Sequence, residues 1–110
     1  MTIYHIVLFK FKSLIPSEEI EAACNRMLAL GANCIHPTSQ QPYVKVIGGG
    51  RDNSPEGFQD GMTHPFIFQF DNEDDRKYYL EKDPAHLAFV AGIGDIIEKH
   101  QVLDFTPGVF

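Results

Sequence analysis

The sequence predicts a single α+β domain over residues 1–110 with a ferredoxin-like βαββαβ plan, in which helices cover one face of a four-stranded antiparallel sheet. Two observations support this prediction. Strand-like and helix-like segments follow one another in that order, with one extra short helix before the last long helix. The first and third strands, which are central in this plan, are the two strands that are mostly apolar on both faces.

The first strand is predicted over residues 2–11, where side chains of two faces alternate. One face carries a histidine among apolar residues: Ile3, His5, Val7, Phe9 and Phe11. The other face is also mostly apolar: Tyr4, Ile6, Leu8 and Lys10. A strand of this kind needs cover on both sides. The first helix begins after Pro16, where Glu18 and Glu19 suit the positive helix end, and it ends near Gly31.

The two middle strands are separated by a loop. A short strand is predicted over residues 43–47, and residues 51–61 have loop chemistry throughout. The third strand, over residues 62–71, again has a histidine on its apolar face: His64, Phe66, Phe68 and Phe70. Asn72 then begins a short helix that passes through Tyr78, Tyr79 and Leu80.

The stretch around His86 predicts the start of the main helix. Asp83 can accept hydrogen bonds from N–H groups of the first turn, and Pro84 fits the first helical position. Apolar residues recur at helical spacing: Phe89, Val90, Ile93, Ile96 and Ile97. Counting back along this face places His86 on it. The helix is predicted to run to about Lys99, with a last strand over residues 101–105.

Charge and composition exclude several classes of partner. A net charge of −6 argues against nucleic acid and anionic membranes, because both need basic patches. No apolar run is long enough for a membrane span, and a strand-like segment at the start leaves no secretory signal. Cys24 and Cys34, with no second metal-type cysteine element, predict a reduced chain in the cytoplasm.

The five histidines fall into two groups. His36 in a polar loop and His100 near a helix end are predicted to lie at the surface. His5, His64 and His86 each lie on an otherwise apolar face. Each could be a core histidine with one hydrogen bond, and the three together could bind a metal. Three buried imidazoles are nevertheless costly unless they line a cavity with polar groups, so we expect a binding or catalytic cavity.

His86 is the candidate general base of such a cavity. The positive end of the helix disfavours its cation, so we expect a lowered pKa. Asp104, an acid in the last strand, could orient the imidazole, or it could be a surface charge on an edge strand. Tyr78 or Tyr79 could supply a phenol, although either could simply pack. Phenylalanines such as Phe66 and Phe89 are expected to hold the apolar part of a substrate.

Four segments of the chain carry a resemblance to a known family. They are residues 3–12 (IYHIVLFKFK), 61–64 (GMTH), 84–86 (PAH) and 104–107 (DFTP). In these motifs and in their order, nearly the whole chain resembles the stress-responsive A/B-barrel family (Dabb, dimeric α/β barrel). Within that family it resembles polyketide cyclases of the olivetolic acid cyclase type.

The resemblance implies a homodimer in which two sheets face each other and close a barrel. It also implies an aldol-type cyclisation of a polyketide without metal or cofactor, an activity of the lyase or isomerase kind. His86 matches the catalytic histidine, Asp104 the aspartate of the last strand, and His5 and His64 the other pocket histidines. Tyr79 matches the catalytic tyrosine when a one-residue gap is allowed, and Asp83 stands where the family often has another histidine.

Three hypotheses for the function follow. The first is a cofactor-independent enzyme that acts on a polyketide or phenolic carbonyl compound, with His86 as base and with His5, His64 and Tyr79 contacting the substrate oxygen. The second is a non-catalytic, homo-oligomeric stress or binding protein, which predicts a filled core. The third is a haem- or metal-dependent monooxygenase of the same architecture.

Overall fold

Four strands form one antiparallel sheet in the order β2-β3-β1-β4, and the computed structural model describes all residues from 1 to 110. The strands are β1 (Ile3–Phe11), β2 (Lys45–Gly49), β3 (His64–Phe70) and β4 (Ile97–Phe105). The helices are α1 (Ser17–Leu28), α2 (Leu30–Asn33), α3 (Glu73–Glu81) and α4 (Pro84–Ile93). The predicted ferredoxin-like plan, with its first and third strands in the centre, is confirmed.

The central strand β1 fixes which side chains meet at the helix-covered face. Its residues alternate between fully and partly buried along the whole strand, as its two apolar faces predict. His5 lies opposite Phe68 of β3 on one side and Asp104 of β4 on the other. Phe9, four residues along, lies opposite His64 and His100. The register therefore separates two histidine pairs along the sheet.

The end of α4 differs from the sequence prediction. The helix ends at Ile93 and a 3-10 turn follows at Gly94–Ile96, so β4 begins at Ile97 and not at residue 101. Gly92 and Gly94 weaken the helix, because glycine has low helix propensity, while the β-branched Ile96 and Ile97 suit a strand. As a consequence the even-numbered residues of β4, from 98 to 104, share the face that the helices cover.

The helices bury one face of the sheet around a cluster of aromatic residues. Phe66, Phe68 and Phe70 of β3 are fully buried in this core, together with Tyr79 of α3. The opposite face has no helix over it. Leu103 and Phe105 of β4 lie there, and 64% and 48% of their surfaces are exposed. Their register neighbours on β1 are Ile6 and Tyr4, and the ring of Tyr4 stacks on Phe105.

Two features bear on the expected environment of the chain. None of the helices combines the length and the apolar character that a membrane span requires. Cys24 and Cys34 are both free thiols, and Cys34 is buried. Burial raises the pKa of the Cys34 thiol to about 12, and the nearby carboxylate of Asp83 acts in the same direction. The cytoplasmic location stays a prediction.

The short strand β2 makes a close approach that gives a stability test. It runs from Lys45 to Gly49, two residues beyond the predicted end at residue 47. A Cβ on Gly49 would overlap the buried ring of Phe66, whereas a Cβ on Gly48 would meet nothing within 4 Å. We expect Gly49→Ala to lower the free energy of unfolding by about 1–3 kcal/mol in urea titration, because the core is overpacked. The control Gly48→Ala should change it by less than about 0.5 kcal/mol, and equal effects would contradict the close approach.

Candidate functional site

A cavity of about 560 Å³ lies between α4 and the β1–β4 edge of the sheet, within the usual size range of small-molecule sites. Most of the residues that line the cavity are apolar, and they include Met27 of α1. The apolar wall residues of β1, α4 and β4 are Val7, Phe9, Phe89, Val90, Ile93, Ile97 and Val102. The apolar side of α4 thus faces a cavity. The hypothesis of a non-catalytic protein had predicted a filled core at this place.

The first turn of α4 is held by a buried carboxylate. Asp83 is only 1% exposed, and its Oδ1 accepts hydrogen bonds from the backbone N–H groups of Ala85 (2.9 Å) and His86 (3.4 Å). Its Oδ2 accepts a hydrogen bond of 2.6 Å from the hydroxyl of Tyr43. Pro84 occupies the first helical position. The predicted cap is therefore confirmed, and it anchors the helix start to the segment before β2.

The imidazole of His86 is held in one orientation and one tautomer. Its Nδ1 lies 2.8 Å from the backbone carbonyl oxygen of Tyr79, and its ring stacks on the Tyr79 ring with centroids 3.8 Å apart. A carbonyl oxygen can only accept, so Nδ1 carries the proton. In the neutral ring, Nε2 then keeps its lone pair. This is the arrangement that a general base needs.

Burial acts in opposite directions on the two stacked rings. It lowers the pKa of His86, although the bond to the Tyr79 carbonyl raises that pKa; the charge of His5 lowers it and Asp83 raises it. Burial also raises the pKa of the Tyr79 phenol, with smaller contributions in the same direction from Cys34 and Asp83. The pair consequently presents a neutral imidazole that can take a proton and a protonated phenol that can donate a hydrogen bond.

Asp104 orients His5 and not His86, which corrects the sequence hypothesis. The Nδ1–H of His5 donates to Oδ1 of Asp104 at 2.7 Å, and His5 is only 3% exposed. The other carboxylate oxygen of Asp104 accepts from Nη1 of Arg76 at 3.1 Å. The pairing follows from the register, since His5 and Asp104 are direct neighbours on adjacent strands, whereas His86 lies on α4.

Five of the seven candidate residues lie together. The cavity brings together His86, Tyr79, Asp104, His5 and Phe89. His64 and Phe66 do not join them, which is a second correction. His64 lies opposite Phe9, well along the sheet from His5, and lines a different cavity. Phe66 is buried within the core. Tyr78 also points elsewhere, because its ring packs against Tyr43 and His36.

The structure adds site residues that the sequence analysis missed. Glu98 and His100 line the same cavity, at the end away from Asp104. Residues 98, 100, 102 and 104 alternate along β4, and this pattern could have placed Glu98 and His100 on the same face as Asp104. The pattern was missed because the main helix was predicted to run to residue 99. Arg76 gave no signal, since its pairing with Asp104 joins two distant segments. No group of three or more histidine, cysteine or acidic side chains is placed to hold a metal ion.

The sequence matches the model of one protein family, described as the stress responsive A/B barrel domain, over residues 3–107. The chain belongs to this family. No curated protein sequence matches it significantly.

Solved structures of similar fold cover nearly the whole chain. The Arabidopsis thaliana protein At3g17210 is 27% identical with a TM-score of 0.79, and the match covers 98% of this chain and 97% of that one. Hydroxynitrile lyase from Passiflora edulis is 24% identical with a TM-score of 0.81, covering 99% and 96%. A dimeric ferredoxin-like protein of unknown function from Bacteroides fragilis is 24% identical with a TM-score of 0.66, covering 94% of each chain. None of these three is described as a polyketide cyclase.

The buried cap of this A/B barrel domain gives a second stability test. We expect Asp83→Ala to lower the free energy of unfolding in urea by about 2–4 kcal/mol, because it removes a helix cap and leaves the buried Tyr43 hydroxyl without its acceptor. The matched control is Asn72→Ala at the exposed start of α3, where Asn72 accepts from the N–H of Asp75 at 2.8 Å. That control should cost only about 1 kcal/mol. Equal losses would show that the Tyr43 bond adds nothing.

Acid should weaken the fold partly through His86. Its pKa is lower in the folded protein than in the unfolded chain, so the unfolded state binds the proton more tightly. The contribution of His86 to stability is complete above the unfolded pKa of about 6.5 and is lost as the pH falls through the lower folded value. Between about pH 7.5 and pH 5, His86→Gln should therefore flatten the fall of the unfolding free energy. His64 contributes in the same direction in both proteins, and identical curves would contradict the role of His86.

Proposed function

We propose that the protein forms or cleaves carbon–carbon bonds at a carbonyl group by acid–base chemistry, and that its leading activity is the ring closure of a linear poly-β-ketone. The observation that carries this proposal is the juxtaposition of His86 and Tyr79 in an apolar cavity. A neutral imidazole with a lone pair on Nε2 lies against a phenol that stays protonated. This chemistry needs only a base, a hydrogen-bond donor and a dry site.

The proposed reaction begins with proton abstraction. Nε2 of His86 takes a proton from a carbon between two carbonyl groups, and the electron pair of that C–H bond moves onto the enolate oxygen. The phenol of Tyr79 donates a hydrogen bond to this oxygen. His5, which Asp104 holds through its Nδ1–H, lines the same cavity and offers the substrate a second polar contact. Stabilising the enolate in this way lowers the barrier of the step.

Ring closure returns the proton. The enolate carbon attacks a ketone carbon further along the same chain, and the electrons of that carbonyl move onto its oxygen, which takes the proton from His86. Loss of water between a ring C–H and the new hydroxyl then leads towards an aromatic ring. The apolar wall formed by Phe89 and its neighbours holds the alkyl end of the substrate and brings the two carbons together.

Cyanohydrin cleavage is the second candidate. The structural similarity to the Passiflora edulis enzyme, with a TM-score of 0.81, favours it. The step uses the same groups. His86 takes the hydroxyl proton, the electrons of the O–H bond form the new carbonyl, and the carbon–carbon bond breaks with its electron pair leaving on cyanide. The cyanide then takes the proton back from His86 and leaves as hydrogen cyanide. A non-catalytic binding protein is a further alternative, but that hypothesis predicted a filled core, and the cavity of about 560 Å³ argues against it.

We also propose that two copies associate through the open sheet face. Ile67, Leu103 and Phe105 are exposed on that face, and a contiguous apolar surface of this kind is typical of an interface. The dimeric state of the Bacteroides fragilis protein supports the proposal. The cavity lies on the other face, so each subunit keeps its own site.

The activity test uses a linear poly-β-keto substrate supplied by a partner polyketide synthase, with products followed by liquid chromatography and mass spectrometry. We expect wild type to redirect the mixture towards one cyclised product. His86→Gln should lower its rate of formation at least about 100-fold, because the general base is lost. Tyr79→Phe should lower it roughly 10–100-fold, because one donor to the enolate oxygen is lost.

The matched control is Tyr78→Phe. Tyr78 neighbours Tyr79 in sequence but packs against Tyr43 outside the cavity, so this variant should form product at the wild-type rate. An identical product pattern with wild type and His86→Gln would refute the cyclase proposal. The same variants, assayed with mandelonitrile for benzaldehyde release, decide the second candidate.

A further inference from the structure

A second cavity, of about 540 Å³, lies beside α1 at the end of the sheet where β1 meets the start of β3. It contains the histidine that the first site leaves out. Its polar lining includes Lys12, Glu21, Arg51 and His64, and its apolar lining includes Phe11 and Ile20. Nothing in the proposed reaction at His86 uses this cavity.

Hydrogen bonds hold the ring of His64 beside Thr63. The hydroxyl oxygen of Thr63 lies 3.2 Å from the backbone carbonyl oxygen of Phe9 and 2.8 Å from Nδ1 of His64, and its proton can go to either. The backbone N–H of Thr63 donates to the same carbonyl at 2.9 Å, so that oxygen is satisfied in both cases. Nδ1 of His64 is therefore engaged in either tautomer, and Nε2 can bond a ligand hydroxyl as acceptor or as donor. Burial lowers the pKa of His64, and the positive charge of Arg51 acts in the same direction.

The charges around His64 favour an anion. Lys12 and Arg51 line the cavity, and the ion pairs of the protein involve neither of them. The carboxylate next in sequence, Asp52, is engaged by the Gln59 side chain at 2.6 Å. Two cations therefore face one acid of the lining, Glu21, in a protein whose net charge is −6. A guanidinium is well suited to a carboxylate, because it can donate two parallel hydrogen bonds.

We propose that this cavity binds a small hydroxy-carboxylate with an apolar body. The carboxylate pairs with Arg51 and Lys12, and the hydroxyl forms a hydrogen bond with Nε2 of His64. The apolar body packs against Phe11, whose ring meets that of His64 edge-on at 5.1 Å between centroids, and against Ile20. The site is independent of the reaction proposed at His86, so either proposal can fail without the other.

The test uses 3-hydroxybenzoate as the probe, whose hydroxyl cannot bond to its own carboxylate. Binding is followed by the ¹⁵N and ¹H resonances of the histidine rings, with the His64 signal assigned by its loss in His64→Gln. We expect saturable binding that shifts the Nε2 resonance of His64. Benzoate, which lacks the hydroxyl, and phenol, which lacks the carboxylate, should each bind roughly tenfold more weakly, because one of the two polar contacts is missing.

Variants away from the core keep the test decisive. Arg51 is exposed, so Arg51→Gln should fold and should raise the Kd of 3-hydroxybenzoate roughly tenfold. The matched control Arg26→Gln, on an exposed position of α1 outside the cavity, should leave the Kd unchanged, and so should His86→Gln. The proposal is overturned if the probe does not bind, if the His64 resonance stays in place at saturation, or if Arg51→Gln and Arg26→Gln bind equally.

Discussion

The fold and the candidate site depend on one buried carboxylate. Asp83 accepts two backbone N–H groups of α4 and the hydroxyl of Tyr43, and these bonds offset the cost of removing the side chain from water. These hydrogen bonds fix the residue at which α4 begins, and they therefore fix the position of His86 in its first turn. An acidic cap also favours the imidazolium form of His86, whereas burial opposes it. Burial prevails, so the pKa of His86 lies below its ordinary value.

Backbone geometry then assigns different chemistry to similar side chains. His86 directs Nδ1–H to the backbone carbonyl oxygen of Tyr79, so its neutral ring keeps a lone pair on Nε2. His5 directs Nδ1–H to the carboxylate of Asp104, and Nδ1 of His64 bonds to the hydroxyl of Thr63. The three imidazoles of one chain are thus held by three different groups: a carbonyl oxygen, a carboxylate and a hydroxyl. The strand register keeps His64 away from the other two.

Local patterns in the sequence predicted the order of strands and helices, the cap at Asp83 and the helix face on which His86 lies. Each of these depends on residues that are close together in the chain. Local patterns could not predict that Asp104 pairs with His5, since the register of β1 against β4 joins residues that are far apart in the chain. They also placed His64 with the other histidines, because a shared sheet face does not give position along the strand. The end of α4 was placed too late because its apolar spacing continues past two glycines into β4.

The central claim is that His86 removes a proton from carbon, and it can be measured without a complete substrate. The measurement is the exchange of the acidic C–H protons of a soluble β-keto ester for deuterium in D2O, followed by ¹H NMR. We predict that wild type accelerates this exchange in a saturable way and that His86→Gln leaves it at the buffer rate. Equal acceleration by the two proteins would contradict the claim, and so would the absence of any acceleration by wild type.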